Sequence, residues 1–370
     1  MKSSEISSFL QERIDACDFP SAVYLIAEKG EIVFQDALGY SVVTPERIKA
    51  KFETIYDVAS LTKPLVTGLL AAQQIEDNDI QLETRIGNEH TAFDGSPISA
   101  VTVKDLATHT SDLPAWRPFY LLTNSPTPLA IGRAIGDQEL ATGEKQVVYS
   151  DLNFIALAIL IEQNRPDFEF DLEVVKKLGL RRTCFNPLAH GLDGSDIAAS
   201  EFGNEHEKRT CREMGYEAPD DKFRDYQIWG EVHDGNAWFM GGTAGHAGLF
   251  STAEEVFRIA LQFLPAYTTL LKPETCKLFR MNFTKGMNEA RSFAFELAET
   301  PRSTAGSEMS PESFGHLGFT GTSLWIDTVQ DRIFILLTNR THNHSLPFTN
   351  INSVRRRFHD LANKVLNVQK

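Results

Sequence analysis

The chain has 370 residues, 42% of them hydrophobic and 23% charged, which is typical of a globular protein that buries a large core. Its 36 basic and 50 acidic side chains give a formal net charge of −14, so nucleic acid and anionic membranes are excluded as favoured partners. The opening residues lack a basic segment followed by an apolar one, and the densest apolar run, 154–161, is too short to span a bilayer. We therefore expect a cytoplasmic protein.

Apolar side chains recur at helical spacing over residues 3–16, which predicts an amphipathic opening helix. Two strand-like runs, 22–27 and 32–37, flank a Lys-Gly turn and predict a β-hairpin. A long apolar helix is expected to follow, through Ile75.

The middle of the chain is predicted to be mainly helical. One helix is expected after Thr102, where Asp105 follows at capping-box spacing, and another after Thr252, where Glu255 repeats the pattern. Residues 152–162 form a third strongly apolar helical segment.

Strand character returns late in the chain. The runs 292–297, 315–326 and 332–338 are separated by turn residues, and residues 351–368 close the chain as a helix. Strands near both ends of a chain most simply join into one antiparallel sheet.

This order predicts an α+β fold, an α/β sandwich in which an antiparallel sheet is flanked by the N- and C-terminal helices. Residues 1–58 and 288–370 would form the sheet domain, and 59–287 a mainly helical inserted domain. The active site is expected at their interface.

The cysteines have no CxxC spacing, so the sequence predicts neither a zinc ribbon nor a disulfide framework. Reduced thiols, as in a reducing compartment, are expected. The four positions are Cys17, Cys184, Cys211 and Cys276.

The first candidate for chemistry is Ser60 with Lys63. On a helix, positions i and i+3 share a face, so the Lys63 amine can reach the Ser60 hydroxyl. A serine needs such a base to become a nucleophile, and a partly desolvated lysine can act as one. Pro64 places the pair near a helix N-terminus, where N–H groups favour negative charge. Taken alone, the pattern is also typical of a helix-capping serine beside a solvated lysine.

The second candidate is Tyr149, which lies two residues before Asp151 at the entry to an apolar helix. A tyrosine beside a lysine ammonium can be held as, or pushed toward, the phenolate and can carry a proton. The alternative is a buried tyrosine next to a helix N-cap.

The third candidate is the glycine-punctuated segment from Gly315 to Thr322, which leads into a strand. Its glycines allow another backbone to approach and leave N–H groups available at the strand edge. Facing Ser60, this edge would supply a second oxyanion donor beside the N–H of Ser60. Alone, the segment indicates only a glycine-rich strand entry.

In order and context, these elements resemble the serine β-lactamase and penicillin-binding-protein superfamily. Its three marks are S-x-x-K, then Y-x-N or S-x-N, then K-T-G or H-T-G on a strand. The chain is most similar to the branch of class C β-lactamases, D-alanyl-D-alanine carboxypeptidases and β-lactamase-like esterases. The similarity covers roughly residues 20–365, including the segments 105–111 and 249–253, and implies the β-lactamase/transpeptidase-like fold.

The resemblance implies roles for three residues in catalysis. Ser60 would be the acylated nucleophile, Lys63 its base or proton relay, and Tyr149 the general base and acid.

The resemblance also implies a substrate and oxyanion side formed by Asp151, His316, Gly318 and Phe319. Asp151 would orient Lys63 and the substrate amide. The backbone N–H of Phe319 would join the oxyanion hole.

Three positions depart from the pattern of the superfamily. Asp151 stands where Asn is usual, and its charge could pair with Lys63 and favour the ammonium. His316 replaces a lysine that many members have, although it could supply charge when protonated. Both changes disfavour efficient β-lactam hydrolysis. Asp112 replaces a common glycine and is tolerated if Asp adopts left-handed geometry.

A second glycine-rich stretch, 230–248, suggests backbone that lines a cleft. It contains His233, Asp234 and His246, which are candidates for cleft lining and, less favourably, for metal binding. Because no HExxH motif accompanies them, we expect neither a metal nor another cofactor.

The sequence therefore predicts a serine hydrolase that forms an acyl-enzyme at Ser60. Small esters and D-amino-acid peptides are preferred over β-lactams as substrates, so the expected partner is a small molecule or short peptide. The alternative is a sensor-type penicillin-binding protein that is acylated without turnover. The oligomeric state is left open.

Overall fold

The computed structural model describes residues 1–166 and 169–368. Its helices are α1 Ser4–Asp15, α2 Leu69–Glu76, α3 Ile86–Glu89, α4 Val103–Ala107, α5 Phe119–Leu122, α6 Pro128–Gly136, α7 Asp151–Asn164, α8 Lys176–Leu178, α9 Glu205–Glu213, α10 Gly235–Phe239, α11 Ala253–Ala260 and α12 Asn352–Val368.

The strands are β1 Ser21–Glu28, β2 Glu31–Val42, β3 Ile48–Lys49, β4 Tyr56–Asp57, β5 Cys184–Phe185, β6 Ala199–Phe202, β7 Gln227–Trp229, β8 Leu249–Ser251, β9 Glu296–Leu297, β10 Phe314–Leu317, β11 Ser323–Asp327 and β12 Arg332–Thr338.

A seven-stranded antiparallel sheet with the order β3-β2-β1-β12-β11-β10-β9 forms the centre of the fold. Strands from opposite ends of the chain pair in its middle, with Ala22 of β1 opposite Thr338 of β12 and Glu28 opposite Arg332. The predicted α+β architecture, with one antiparallel sheet built from both ends of the chain, is confirmed.

Both faces of this sheet are buried, because successive side chains of a strand point to opposite sides. On β1, Val23 and Leu25 belong to the core shared with the inserted helices. Tyr24 and Ile26 instead join the core that α1 and α12 cover. The terminal helices therefore cover one face of the sheet, and the middle of the chain covers the other.

Two predicted strands differ from the structure. The run 292–297 forms a strand only at Glu296–Leu297, because Ala294 adopts a left-handed φ of 67° and turns the chain. The run 315–326 divides into β10 and β11, joined by a turn in which Gly321 has a φ of 109°. A period-two apolar pattern does not detect such turns.

Only one of the two predicted capping boxes forms. Thr102 and Asp105 form the reciprocal pair of hydrogen bonds. Thr252 accepts from the N–H of Glu255, but the Glu255 carboxylate accepts instead from the N–H groups of Arg181 and Arg182. A long-range contact thus replaces the predicted local one.

Strand β4 also pairs with β8 in a small three-stranded sheet beside the main one. The boundaries of a helical domain over residues 59–287 stay a prediction. Within residues 1–166 and 169–368, no helix combines the length and the apolar character needed to cross a bilayer.

Candidate active site

A cavity of about 760 Å³ opens where the turn between β10 and β11 faces the inserted helices. Of the residues singled out in the sequence, those that line it include Ser60, Tyr149, Asp151, His316, Gly318 and Phe319. Three separate stretches of the chain thus converge on one cleft.

The nucleophile candidate lies directly after β4, on a sharp turn. Ala59 adopts a left-handed φ of 49°, a conformation that costs free energy in a residue with a Cβ atom. The buried carboxylate of Asp57 accepts hydrogen bonds from the N–H of Ala59 (2.8 Å) and the N–H of His233 (2.8 Å). This carboxylate therefore holds the turn that presents Ser60 to the cavity.

Ser60 belongs to a short 3₁₀-helix, Ala59–Leu61, followed by a π-helical segment, Lys63–Gly68. Lys63 begins the π-helical segment three residues after Ser60, close enough for their side chains to meet. The Lys63 Nζ atom donates to Ser60 Oγ at 2.9 Å.

Lys63 is completely buried, and its ammonium group has anionic and polar neighbours. Besides Ser60, Nζ contacts Asp151 Oδ1 at 2.7 Å and the carbonyl oxygen of His246 at 3.3 Å. Burial by itself lowers the pKa of Lys63, but Asp151 and Tyr149 outweigh it, and the pKa is raised above its ordinary value. The resting lysine is therefore an ammonium, which fits the pairing with Asp151 expected from the sequence.

Tyr149 completes this cluster, with its hydroxyl in hydrogen-bonding reach of both Lys63 and Ser60. Its ring packs against His109, with ring centroids 4.6 Å apart, and faces His316 at 5.7 Å. Burial raises the pKa of Tyr149, and the opposing effect of Lys63 does not offset it. The resting side chain is thus a phenol, which can be pushed toward the phenolate only by losing its proton.

The N-terminus of α7 fixes both Tyr149 and Asp151. The N–H of Ser150 donates to His109 Nδ1 at 3.1 Å, and its hydroxyl donates to the carbonyl of Pro114 at 2.7 Å. Asp151 then starts the helix, where the macrodipole favours its negative charge.

The turn between β10 and β11 is hydrogen-bonded to the segment that leads from β4 to Ser60. Thr320 and Thr322 donate side-chain hydrogen bonds to the carbonyls of Asp57 (2.8 Å) and Val58 (3.0 Å). A Cβ atom on Gly318 would lie 1.9 Å from Thr322 Oγ1, so this close approach requires glycine. The sequence-level interpretation of the glycines as allowing backbone approach therefore applies at position 318.

His316 is buried beside these groups and remains neutral. Its Nδ1 donates to the carbonyl of Leu317 at 2.9 Å, which makes Nε2 the basic nitrogen. Burial lowers the pKa of His316 well below its ordinary value, and the nearby charges of Lys63 and Arg291 add to this. A neutral His316 does not supply the positive charge that a protonated ring would carry.

The second glycine-rich stretch divides between the cleft and the core. His233 and Asp234 line the cavity, and His233 pairs with Glu201 at 2.7 Å. His246 is completely buried and contacts Asp234 at 2.9 Å, so its side chain supports the cleft rather than lining it.

Asp151, Asp234 and His246 have potential ligand atoms within 4.8 Å of one another. Lys63 already contacts Asp151, and His246 already contacts Asp234. Burial alone would raise the pKa of Asp234, but His246 and Lys63 hold it well below its ordinary value. An ammonium and an imidazole thus satisfy this cluster.

None of the four arginines found in the cavity wall among the described residues, Arg117, Arg291, Arg340 and Arg355, was singled out in the sequence. Arg340 and Arg355 line the cavity on the Phe319 side. Within the described part of the chain, their hydrogen bonds end on neutral oxygens, of backbone carbonyls and of Asn352. Arg355, Arg356 and Arg357 are consecutive, and the sequence analysis singled out none of them.

With this geometry in place, comparison with known proteins defines the class. The family model described as Beta-lactamase matches residues 6–355. The chain belongs to the Beta-lactamase family, and it is a hydrolase of the serine β-lactamase and penicillin-binding-protein superfamily. The resemblance drawn from the sequence motifs is confirmed.

Similar proteins agree with this assignment. An Escherichia coli K12 protein named "Putative D-alanyl-D-alanine carboxypeptidase" is 27% identical, over 92% of this chain and 82% of its own length. Among solved structures, the octameric penicillin-binding protein homologue from Pyrococcus abyssi has a TM-score of 0.73 at 17% identity, covering 99% of this chain and 78% of that one. EstCE1, described as a hydrolase with promiscuous acyltransferase activity, has a TM-score of 0.72 at 19% identity and covers 97% of both chains.

Proposed function

We propose that this protein is an acyl-enzyme hydrolase whose nucleophile is Ser60 and whose substrates are small esters or short peptides ending in a D-amino acid. The observation that carries the proposal is the cluster at the floor of the cavity. There, Lys63 Nζ lies 2.9 Å from Ser60 Oγ, with the hydroxyl of Tyr149 beside both.

Acylation begins with the loss of one proton from the Lys63–Tyr149 pair, because the raised pKa values of both groups leave the resting enzyme without a base. The pair then accepts the Ser60 proton while Oγ attacks the substrate carbonyl. The N–H groups of Ser60 and Phe319 would bind the oxyanion. The pair returns the proton to the leaving group, and water hydrolyses the acyl-serine.

Two arginines of the cavity wall support a substrate with a free carboxylate. His316 is neutral, whereas Arg340 and Arg355 make hydrogen bonds only to neutral oxygens within the described residues. Their guanidinium groups create a local positive potential in the cavity wall beside Phe319. A D-amino-acid peptide with a free C-terminus fits this potential, in keeping with the name of the Escherichia coli relative.

The test is a substrate panel assayed with wild type and Ser60→Ala. The panel contains nitrophenyl esters, D-alanyl dipeptides with free and amidated C-termini, and a chromogenic cephalosporin. We expect ester and peptide turnover in the wild type, a preference for the free acid over the amide, and weak cephalosporin turnover. Ser60→Ala is expected to lose at least about a thousandfold in kcat.

Ser7→Ala is a matched control, because Ser7 hydrogen-bonds Tyr24 and Asp36 on the α1 side of the sheet. Equal turnover by wild type and Ser60→Ala would contradict the proposal. So would a wild-type protein that gains a persistent penicillin adduct in intact-mass analysis but hydrolyses nothing, since that result identifies the sensor alternative.

Asp151→Asn is expected to raise activity at neutral pH. Asp151 raises the pKa of both Lys63 and Tyr149, so removing its charge lowers both values. Because catalysis requires the pair to lose a proton, the rising limb of kcat/KM moves to lower pH. The pH profiles of wild type, Asp151→Asn and the exposed control Asp94→Asn provide the measurement.

An Asp151→Asn profile that overlays the wild-type profile would mean that the Lys63–Tyr149 pair does not set the pH dependence. A shift of the rising limb of kcat/KM toward higher pH would contradict the prediction, because removing the charge of Asp151 lowers the pKa of both Lys63 and Tyr149.

A further inference from the structure

The side chain of Phe319 is enclosed by aromatic rings. Its ring lies parallel to that of His233, at 18° and 5.4 Å between centroids, and contacts His206 at 4.9 Å. Phe348 packs edge-on at 5.9 Å, and the Arg340 guanidinium lies 4.9 Å from the ring centroid. These contacts restrain the side chain of the residue whose backbone N–H is the proposed oxyanion donor.

Two guanidinium groups also hold the peptide units on either side of Phe319. Arg355 Nη2 donates to the carbonyl oxygen of Gly318 at 2.7 Å and to that of Thr322 at 2.9 Å. Arg340 Nε donates to the carbonyl oxygen of Phe319 at 2.6 Å. The carbonyls of Gly318 and Phe319 therefore both accept charge-assisted hydrogen bonds, which are shorter and stronger than neutral ones.

The carbonyl of Gly318 and the N–H of Phe319 belong to the same peptide unit. A peptide unit is planar and nearly always trans, so fixing the direction of its C=O also fixes the direction of its N–H. A cation on the carbonyl oxygen polarises the unit and makes the N–H a better donor, as in cooperative hydrogen-bond chains. Arg355 therefore acts on the oxyanion donor through a single peptide plane.

Remote elements hold the two guanidinium groups in place. Arg355 is buried on the first turn of α12, where Nη1 donates to Asn352 Oδ1 at 2.9 Å. Arg340 follows β12 and also donates to the carbonyl of Thr349 at 2.7 Å. The position of the oxyanion donor is thus linked to the C-terminal helix.

We propose that Arg355, with Arg340, is a positioning residue that orients and polarises the N–H of Phe319 for oxyanion binding. The inference rests on the proposed acyl-enzyme function. It adds stabilisation of the transition state to the binding of a substrate carboxylate that is proposed above for the same two arginines.

The experiment compares Arg355→Met, Arg355→Lys and Arg340→Met with wild type on an uncharged nitrophenyl ester. Such an ester has no carboxylate, so loss of the positive potential alone does not impair its binding. We expect kcat to fall about ten- to a hundredfold in Arg355→Met, short of the 10²–10³ lost with a whole oxyanion donor. KM should hardly change.

Affinity for an alkylboronic acid, whose tetrahedral serine adduct resembles the oxyanion, should fall in parallel with kcat/KM. Arg355→Lys should recover part of the loss, since a lysine still donates to the Gly318 carbonyl. Arg357→Met is the matched control, because Arg357 is exposed on the same helix.

The inference is overturned if Arg355→Met and Arg340→Met remain folded and match Arg357→Met in kcat and boronate affinity. It is also overturned if only KM changes. Should Arg355→Met fail to fold, as judged by circular dichroism, Arg355→Lys and the less buried Arg340→Met decide the question. Failure of the proposed function is a separate result, since it would appear as ester turnover that survives in Ser60→Ala.

Discussion

Replacing Lys63 with methionine is expected to lower kcat/KM for esters and D-peptides by about three orders of magnitude or more. The methionine fills much of the same buried volume but removes the amine that lies 2.9 Å from Ser60 Oγ. Without it, neither the proton relay to Ser60 nor the lowering effect on the pKa of Tyr149 remains. Steady-state rates and labelling by a fluorophosphonate, followed by intact mass, measure the loss.

The matched control is Lys104→Met, because Lys104 is a partly exposed lysine whose ammonium lies 3.7 Å from Glu83. Thermal melting of both variants separates loss of catalysis from loss of fold, since Lys63→Met leaves Asp151 without its ammonium partner. Labelling of a folded Lys63→Met protein at the wild-type rate would contradict the assigned role.

Tyr149→Phe should lower kcat by about 10²–10⁴, the range typical for loss of a general acid–base group. The substitution removes only the hydroxyl, so the ring contacts with His109 and His316 are retained. We therefore expect an unchanged melting temperature together with the loss of activity. Ester hydrolysis in stopped-flow and steady-state assays shows whether acylation or deacylation is slowed.

Tyr267→Phe is the control for Tyr149→Phe, since the Tyr267 hydroxyl bonds to Asp331. Near wild-type rates in Tyr149→Phe would contradict the acid–base role of Tyr149 and make His316 the next candidate for that role. Its Nε2 is the unprotonated nitrogen and has no hydrogen-bond partner among the described residues.

Much of the fold could be predicted because it depends on local patterns. Strand β12 was predicted with its observed limits, and α1 and α12 within a residue, since apolar periodicity reports directly on burial. The left-handed geometry expected at Asp112 is present, with a φ of 64°. The predicted 315–326 strand failed where Gly321 turns the chain, because apolar spacing carries no information about φ.

The part of the site that was missed depends on tertiary contacts. Arg355 is the first of three consecutive arginines. Only the side of α12 on which each residue lies distinguishes Arg355 from Arg357. The charge state of His316 also could not be predicted, since the burial and the neighbouring cation that lower its pKa come from distant segments. Motif spacing identifies residue types, whereas their electrostatic surroundings come from the folded chain.

The pairing of β1 with β12 has a consequence for biosynthesis. Ala22 lies opposite Thr338, so a ribosome must add every residue between β1 and the end of β12 before β1 meets its central neighbour. Until then the nascent hairpin exposes two apolar surfaces and an open edge, which are features that promote aggregation. Formation of this sheet is therefore a late event that depends on closing a very long loop, and chaperones have a long interval in which to engage the emerging chain.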